Sequence, residues 1–448
     1  MFGRRRFLGG AAGLGAAGIL GPLTVGCGGG NTNEWVVGAY LSLTGGDAKF
    51  GTDTKEGIEL AVEEINAAGG IKGKKMKVIF EDDKGQVSEV TNKVQQLIDR
   101  DKVVALLGEV ASSRSEPAAV IASKRGIPMI TPSSTNSVVT EGKEFAFRVC
   151  FIDEFQGKMG AEFAVKTLGK KKIGIAFAED DLYSNGLANE FRKAVKEFGG
   201  EVVVEKKFTQ NEMNFTTFAK ELKSSGAEMI YAPIYYKQMV QLGRHAREEG
   251  ITGDMWLGAD GWSGEQALLD ELDGAYFTDH HAPDLPWEPS KKFVAAYEGK
   301  HKRAPSSLAA MGYDACGVLA DAIKRAKEDT PKGIRDAIAE TKDYPGASGV
   351  ITIGPDRNAQ KPIVVSQIRN KSAKYAAVVG PGADKLLGGA TQPALQQKTA
   401  APAETATAAP TETAAPATSA SASASASASA PASASAGAPA ASASAPPK

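Results

Sequence analysis

Gly57–Asp83, GIELAVEEINAAGGIKGKKMKVIFEDD, decides the fold. Ile58, Ala61, Val62 and Ile65 recur at i, i+3, i+4 and i+7, with Glu59, Glu63, Glu64 and Asn66 opposite, which predicts an amphipathic helix. Gly69-Gly70 ends it, because glycine takes the left-handed cap conformation without a Cβ penalty. Met76, Val78 and Phe80 then alternate with polar residues as a half-buried strand that closes on Asp82-Asp83.

The same alternation continues along the chain. Val90, Val94, Leu97 and Ile98 mark a helix before a buried strand, Val103–Leu107; a helix over Ser115–Lys124 leads to a strand over Ile127–Thr131. It restarts after Phe155-Gln156-Gly157. Strands are expected at Ile173–Phe177, Val202–Phe208, Met229–Ile234 and Met255–Leu257, and helices at Leu187–Phe198, Phe215–Ser224 and Gln238–Glu249. Repeated strand–helix–strand units imply an α/β fold of parallel sheets flanked by helices. The units are too many for one core, so two lobes are expected.

The wording of Gly57–Asp83 resembles the first helix and second strand of type I periplasmic solute-binding proteins, in the leucine/isoleucine/valine-binding branch. VVGAYLSLTGG (Val36–Gly46) and Phe50-Gly51 resemble that family's first strand and loop. The resemblance runs from about Val36 to Val379. It implies a two-lobed type I fold with three interlobe crossovers, near Arg148–Asp153, Tyr276–Pro283 and Gly354–Pro362. Lobe 1 would comprise 36–150 with about 281–355, and lobe 2 would comprise 153–278 with about 360–380.

The ends bear on location. Arg4-Arg5-Arg6-Phe7-Leu8 precedes a short apolar run rich in Gly, Ala, Leu and Ile, the pattern of an export signal over residues 1–26. Arg-Arg-x-Phe-Leu is similar to a twin-arginine signal. Leu23-Thr24-Val25-Gly26-Cys27 resembles a lipoprotein cleavage site, with Cys27 as the lipidated residue, residues 27–35 as linker, and Thr24 where a larger aliphatic residue is usual. An ordinary signal peptide with an unmodified cysteine is the alternative. No second apolar stretch of about 20 residues follows, so the mature chain is expected to reach the membrane through its lipid alone. From about Ala390 to Lys448 the chain is almost purely Ala, Ser, Pro, Thr and Gln, with Ala-Ser repeats near Ser419–Ala430. Without large apolar residues past Leu395 it cannot offset the entropy of folding, which predicts a disordered tail, a spacer or glycosylated stalk.

Composition fits two globular cores, with 42% hydrophobic residues. Setting aside the leader's three arginines, 49 basic residues stand against 53 acidic, so nucleic acid is not expected as a partner. Cys150 and Cys316 sit in apolar segments, read as buried free thiols or as a disulfide.

Open parallel sheets bind ligands beyond the carboxyl ends of their strands. There this chain places Gly108-Glu109-Val110-Ala111-Ser112-Ser113 and Pro132-Ser133-Ser134-Thr135-Asn136 in one lobe. The other lobe offers Asp181-Leu182-Tyr183, Tyr235-Tyr236 and Ala259-Asp260-Gly261. Hydroxyls and free N–H groups at a helix start suit a carboxylate, and an acid with rings suits an ammonium and an apolar side chain. Taken alone, Ser112 would read as a helix cap, Tyr183 and Tyr235 as packing residues, and Asp260 as a turn residue. The family resemblance implies more. Ser112 and Thr135 would hold a ligand carboxylate, the Ser134 main chain and Asp260 would receive the ammonium, and Phe50, Tyr183 and Tyr235 would close around it. Asp260 stands where well-known members carry Glu, and Arg114, Ser134 and Trp262 also depart from them, leaving the side-chain preference open.

No phosphate loop, nucleophile elbow or nucleophile–base constellation is present in the sequence. His280-His281 lacks a spaced third metal ligand and reads as a solvated or crossover pair. Neither catalysis, a cofactor nor a metal is expected. The expected function is an extracytoplasmic lipoprotein that carries an amino acid to the membrane permease of an ABC importer. A sensor for a membrane receptor, or a carrier of an amide, urea or aromatic acid, is the alternative.

Overall fold

A computed structural model describes residues 33–389, Glu265 apart. The expected signal, Cys27 and the tail from Ala390 lie outside the described residues. The first sheet has five parallel strands, β1 (Glu34–Leu41), β2 (Lys75–Asp82), β3 (Ala105–Leu107), β4 (Met129–Thr131) and β5 (Ala146–Arg148), in the order β2-β1-β3-β4-β5. Side chains of β1 alternate between two apolar layers, as period two requires. Val37, Ala39 and Leu41 pack with Met311, Cys316 and Leu319 of helix Ser307–Arg325. Tyr40 packs on the other face with Val90, Val94 and Ala118. Burial of both faces is what a parallel sheet needs.

The second sheet is built on β6 (Lys172–Ala178), β7 (Glu201–Phe208), β8 (Met229–Ala232), β9 (Trp256–Gly258) and β10 (Tyr276–Asp279). A small ribbon of β11 (Tyr344–Gly346), β12 (Gly349–Ile353) and β13 (Ala359–Gln360) precedes β14 (Ile363–Arg369) and β15 (Ser372–Val379). The seven-stranded order is β15-β14-β10-β9-β8-β6-β7. This sheet is not wholly parallel, because β14 runs antiparallel to both β10 and β15. The β14–β15 pair is joined by a two-residue hairpin turn at Asn370-Lys371, both with positive φ (49° and 61°), which reverses the chain.

The chain passes from the first sheet to the second after β5, returns after β10, and crosses again after β13. Phe50 and Gly51, which the resemblance put in a loop, lie in the first turns of helix Ala48–Ala67. Only glycine fits at 51, since a Cβ there would overlap the Ser42 carbonyl at the end of β1. That close approach turns Phe50 toward the second sheet. Cys150 and Cys316 are buried free thiols. No described helix is long and apolar enough to cross a membrane.

Candidate functional site

Beyond the carboxyl ends of both sheets, Phe50, Val110, Ser133 and Leu308 meet Tyr183, Tyr235, Asp260 and Gly261 around a cavity of about 10 Å³. That is at the threshold for a single water molecule. The cleft is closed, and any larger ligand requires the two sides to separate. Hydrogen bonds among the described residues span it, one of them from Asn136 Nδ2 to Asp153 Oδ2 at 2.9 Å. Tyr236 Oη donates to the Gly46 carbonyl at 3.0 Å, and Asn136 Nδ2 donates to the Leu182 carbonyl at 3.0 Å.

Asp260 opens the short turn after β9 and is 5% exposed. Its Oδ1 accepts from Tyr183 Oη and Gln156 Nε2, each at 2.9 Å, and His280 Nε2 lies 3.2 Å from Oδ2. No Lys or Arg pairs with it among the described residues. Burial beside this carboxylate raises the Tyr183 hydroxyl pKa well above its ordinary value. Burial lowers that of His280 despite the attraction of Asp260, so the ring is neutral at neutral pH. Asp153 lies close enough to Asp260 to feel its charge, and burial raises its carboxyl pKa well above the ordinary range. The histidine pair is therefore not solvated: His280 serves Asp260, and His281, also buried, faces Ser290 Oγ at 2.8 Å.

The opposite wall comes from the loops after β3 and β4. Ser133 lines the cavity, and its buried hydroxyl has no hydrogen-bond partner. Ser112, first residue of helix Ser112–Arg125, and Thr135 are buried without lining the cavity. Ser112 Oγ accepts from Asn136 N at 3.2 Å, which leaves its own proton free to donate. Thr135 Oγ1 lacks a partner in good hydrogen-bond geometry, but it lies close enough to the Asp153 carboxyl to oppose the rise in its pKa. Ser134 belongs to the scaffold. Its Oγ contacts the Glu109 and Val110 carbonyls and Ser115 Oγ, while its carbonyl accepts from Arg148 Nη1 at 2.8 Å and Cys150 Sγ at 3.2 Å. Ser134 itself does not line the cavity, whereas its neighbour Ser133 does.

Rings close the remaining sides. Tyr183 and Tyr235 stack at 5.2 Å between centroids, and Phe50 meets Tyr235 edge-on at 5.3 Å. Asp181 caps helix Leu182–Glu197 through Ser184 N, and burial pushes its carboxyl pKa up to about 6. Arg114 braces this side from behind. Its Nη1 bonds Asp47 Oδ2 at 2.9 Å and its Nε sits 3.0 Å from Glu109 Oε2, anchoring the start of the helix that carries Phe50. Trp262 lies beneath β8 and β9, its Nε1 bonded to the Ala232 carbonyl at 3.0 Å.

Phe50, Tyr183, Tyr235 and Asp260 are thus brought together as the sequence implied. Val110, Ser133, Gly261 and Leu308 complete the wall, and Gln156 and His280 support the acid. The strand-end rule covers Val110, Ser133 and Gly261, whereas Leu308 opens a distant helix with no local signal.

Residues 34–374 match the periplasmic binding protein family. The chain belongs to that family, in its branched-chain amino acid branch. Among curated relatives, a Leu/Ile/Val-binding protein homologue from Brucella melitensis biotype 1 is 30% identical over 332 residues, 73% of this chain and 89% of its own. An amino acid binding protein from Pseudomonas aeruginosa is 35% identical over 218 residues, 48% of this chain and 58% of its own. Among solved structures, a leucine-binding protein from Thermotoga maritima superposes with a TM-score of 0.73 at 36% identity, covering 77% of this chain and 99% of that one. A branched-chain amino acid transporter substrate-binding protein from Streptococcus pneumoniae, solved with isoleucine, gives 0.72 at 30% identity with the same coverage. These neighbours of the family are two-lobed, as is this chain.

Proposed function

We propose that this periplasmic binding protein takes an α-amino acid, of aliphatic type, between its two lobes and delivers it to the permease of an ABC importer. The single observation that carries the reading is the buried Asp260 carboxylate. It has three neutral donors and no Lys or Arg partner among the described residues, and it faces the unpartnered Ser133 hydroxyl across the cavity. A buried charge demands a counter-charge. An ammonium supplies it, while the hydroxyls of Ser133, Ser112 and Thr135 and the helix start at Ser112 suit the carboxylate of the same molecule. Phe50, Val110, Tyr183, Tyr235 and Leu308 form apolar walls for its side chain. The Leu/Ile/Val-binding homologue from Brucella melitensis and the Streptococcus pneumoniae protein solved with isoleucine support this choice.

The lobes of 36–150 with about 281–355, and of 153–278 with about 360–380, would open about the crossovers and close on the ligand through contacts made to both sides. Twin-arginine export and a lipid on Cys27 would hold the protein outside the cytoplasm, against the membrane that carries the permease. Mass spectrometry of the mature protein should find an acylated N-terminus at Cys27; an unmodified N-terminus elsewhere contradicts the anchor. Uptake of labelled L-leucine by cells lacking this chain should be restored by the wild type and not by Asp260→Ala. Uptake indifferent to the chain contradicts delivery.

A further inference from the structure

Asp260 is held from the two stretches that join the lobes. Gln156 sits at the start of helix Asp153–Glu162, directly after the first crossover, and its Nε2 bridges Asp260 Oδ1 and Thr278 Oγ1, each at 2.9 Å. Thr278 is in β10, and His280 follows that strand in the second crossover. Nε2 of His280 faces Asp260 Oδ2, an acceptor only, so Nε2 carries the proton of the neutral ring. Its other nitrogen, Nδ1, is buried without a partner. The ring packs on Phe151, 4.1 Å between centroids, and its own main-chain N–H donates to Asp279 Oδ1 at 2.7 Å. The charged groups that act on it are Asp260, which favours a second proton, and Lys361, which opposes one. The Asp279 carboxyl beside it is itself buried and hydrogen-bonded to Ser263 Oγ at 2.7 Å.

We propose that His280 and Gln156 are positioning residues that hold the Asp260 carboxylate for a ligand ammonium, and that a second proton on His280 and that ammonium exclude one another. The inference rests on the amino-acid reading above and adds residues and a proton to it. Asp260 is a short acid whose two oxygens are both fixed from the crossovers, so its aim depends on these donors. In acid, a proton added at Nδ1 turns the ring into a cation that already neutralises Asp260. An incoming ammonium would then place two positive charges on one buried carboxylate, and the Nδ1 proton leaves to solvent as the ligand enters. The imidazole remains neutral at neutral pH and the site is then ready.

The test uses the whole mature protein with L-leucine and its amine-free analogue 4-methylpentanoate. Calorimetry in two buffers of different ionisation enthalpy, at about pH 7.5 and in steps down to about pH 4, reads proton release below the ordinary histidine range. L-leucine should bind more weakly and release protons at the lower pH, and the amine-free acid should do neither. His280→Gln, which keeps a donor without a titrating ring, should stay within about threefold of wild type at the higher pH and lose the acid-side proton release, while His280→Leu should lose about tenfold, the scale of one hydrogen bond to a charge. Identical proton release in His280→Gln and wild type overturns the proposal, as does unchanged affinity in His280→Leu. Ring-nitrogen NMR of the ligand-free protein separates this from failure of the amino-acid reading. Asp260→Asn should lower the His280 titration further, and an unmoved titration overturns the pairing whatever the protein binds.

Discussion

Tyr183 Oη donates to Asp260 Oδ1 at 2.9 Å while accepting from Gly261 N at 3.0 Å. The ring that covers the cavity and the acid beneath it are therefore one unit. Tyr183→Phe keeps the stack on Tyr235 and removes a hydrogen bond to a charged group. It should weaken amino-acid binding by about 1.5–3 kcal/mol, measured by calorimetry. A loss as large as that of Asp260→Ala would mean that the ring does more than brace the acid.

Neighbouring serines should separate binding from folding. Ser133 offers the cavity an unpartnered hydroxyl, whereas Ser134 is bonded into the loop. Ser133→Ala should cost binding about 1.5–3 kcal/mol and leave the melting temperature nearly unchanged. Ser134→Ala should do the reverse, lowering stability by about 1–3 kcal/mol because buried partners lose their bond. Equal binding losses in both would contradict this division.

Asp279 gives a stability that depends on pH. Burial raises its carboxyl from 3.8 to about 7, outweighing the bonds from Ser307, Ser263 and the His280 main chain. Because the folded value lies above the unfolded one, the native state holds the proton more tightly. The stability this adds is fully present below about pH 4 and is lost as pH rises through about 7. The scale is about 4 kcal/mol at most. Asp83 and Asp181 shift in the same direction, so Asp279→Asn should flatten the decline between those limits without abolishing it. Urea midpoints across that range measure it, and an unchanged slope in the variant refutes the assignment.

Periodicity made much of the frame legible. Val37, Ala39 and Leu41 face one layer and Tyr40 the other because a strand alternates, and the strand-end rule pointed to the loops that line the cleft. Loops lack such a period. Ser133 and Ser134 are chemically identical, and only the bonds to Glu109, Val110 and Arg148 show which one turns inward. The support of Asp260 was illegible for another reason. Gln156 is 104 residues away, and a glutamine after a crossover carries no local mark of its partner. The antiparallel hairpin of β14 and β15 hides in Asn370-Lys371, since lysine seldom takes a positive φ.

The central claim is that Asp260 meets a ligand ammonium, and a melting-temperature screen of L-amino acids, their amine-free acids and simple amides tests it most directly. An aliphatic amino acid at 100 times its dissociation constant should add about 2.7 kcal/mol of stability to the wild type. Asp260→Ala should lose that shift, because removing one partner of a buried charge pair costs about 2–5 kcal/mol of binding. A shift produced by amine-free acids or amides and by no amino acid, or a full amino-acid shift retained in Asp260→Ala, would contradict the account.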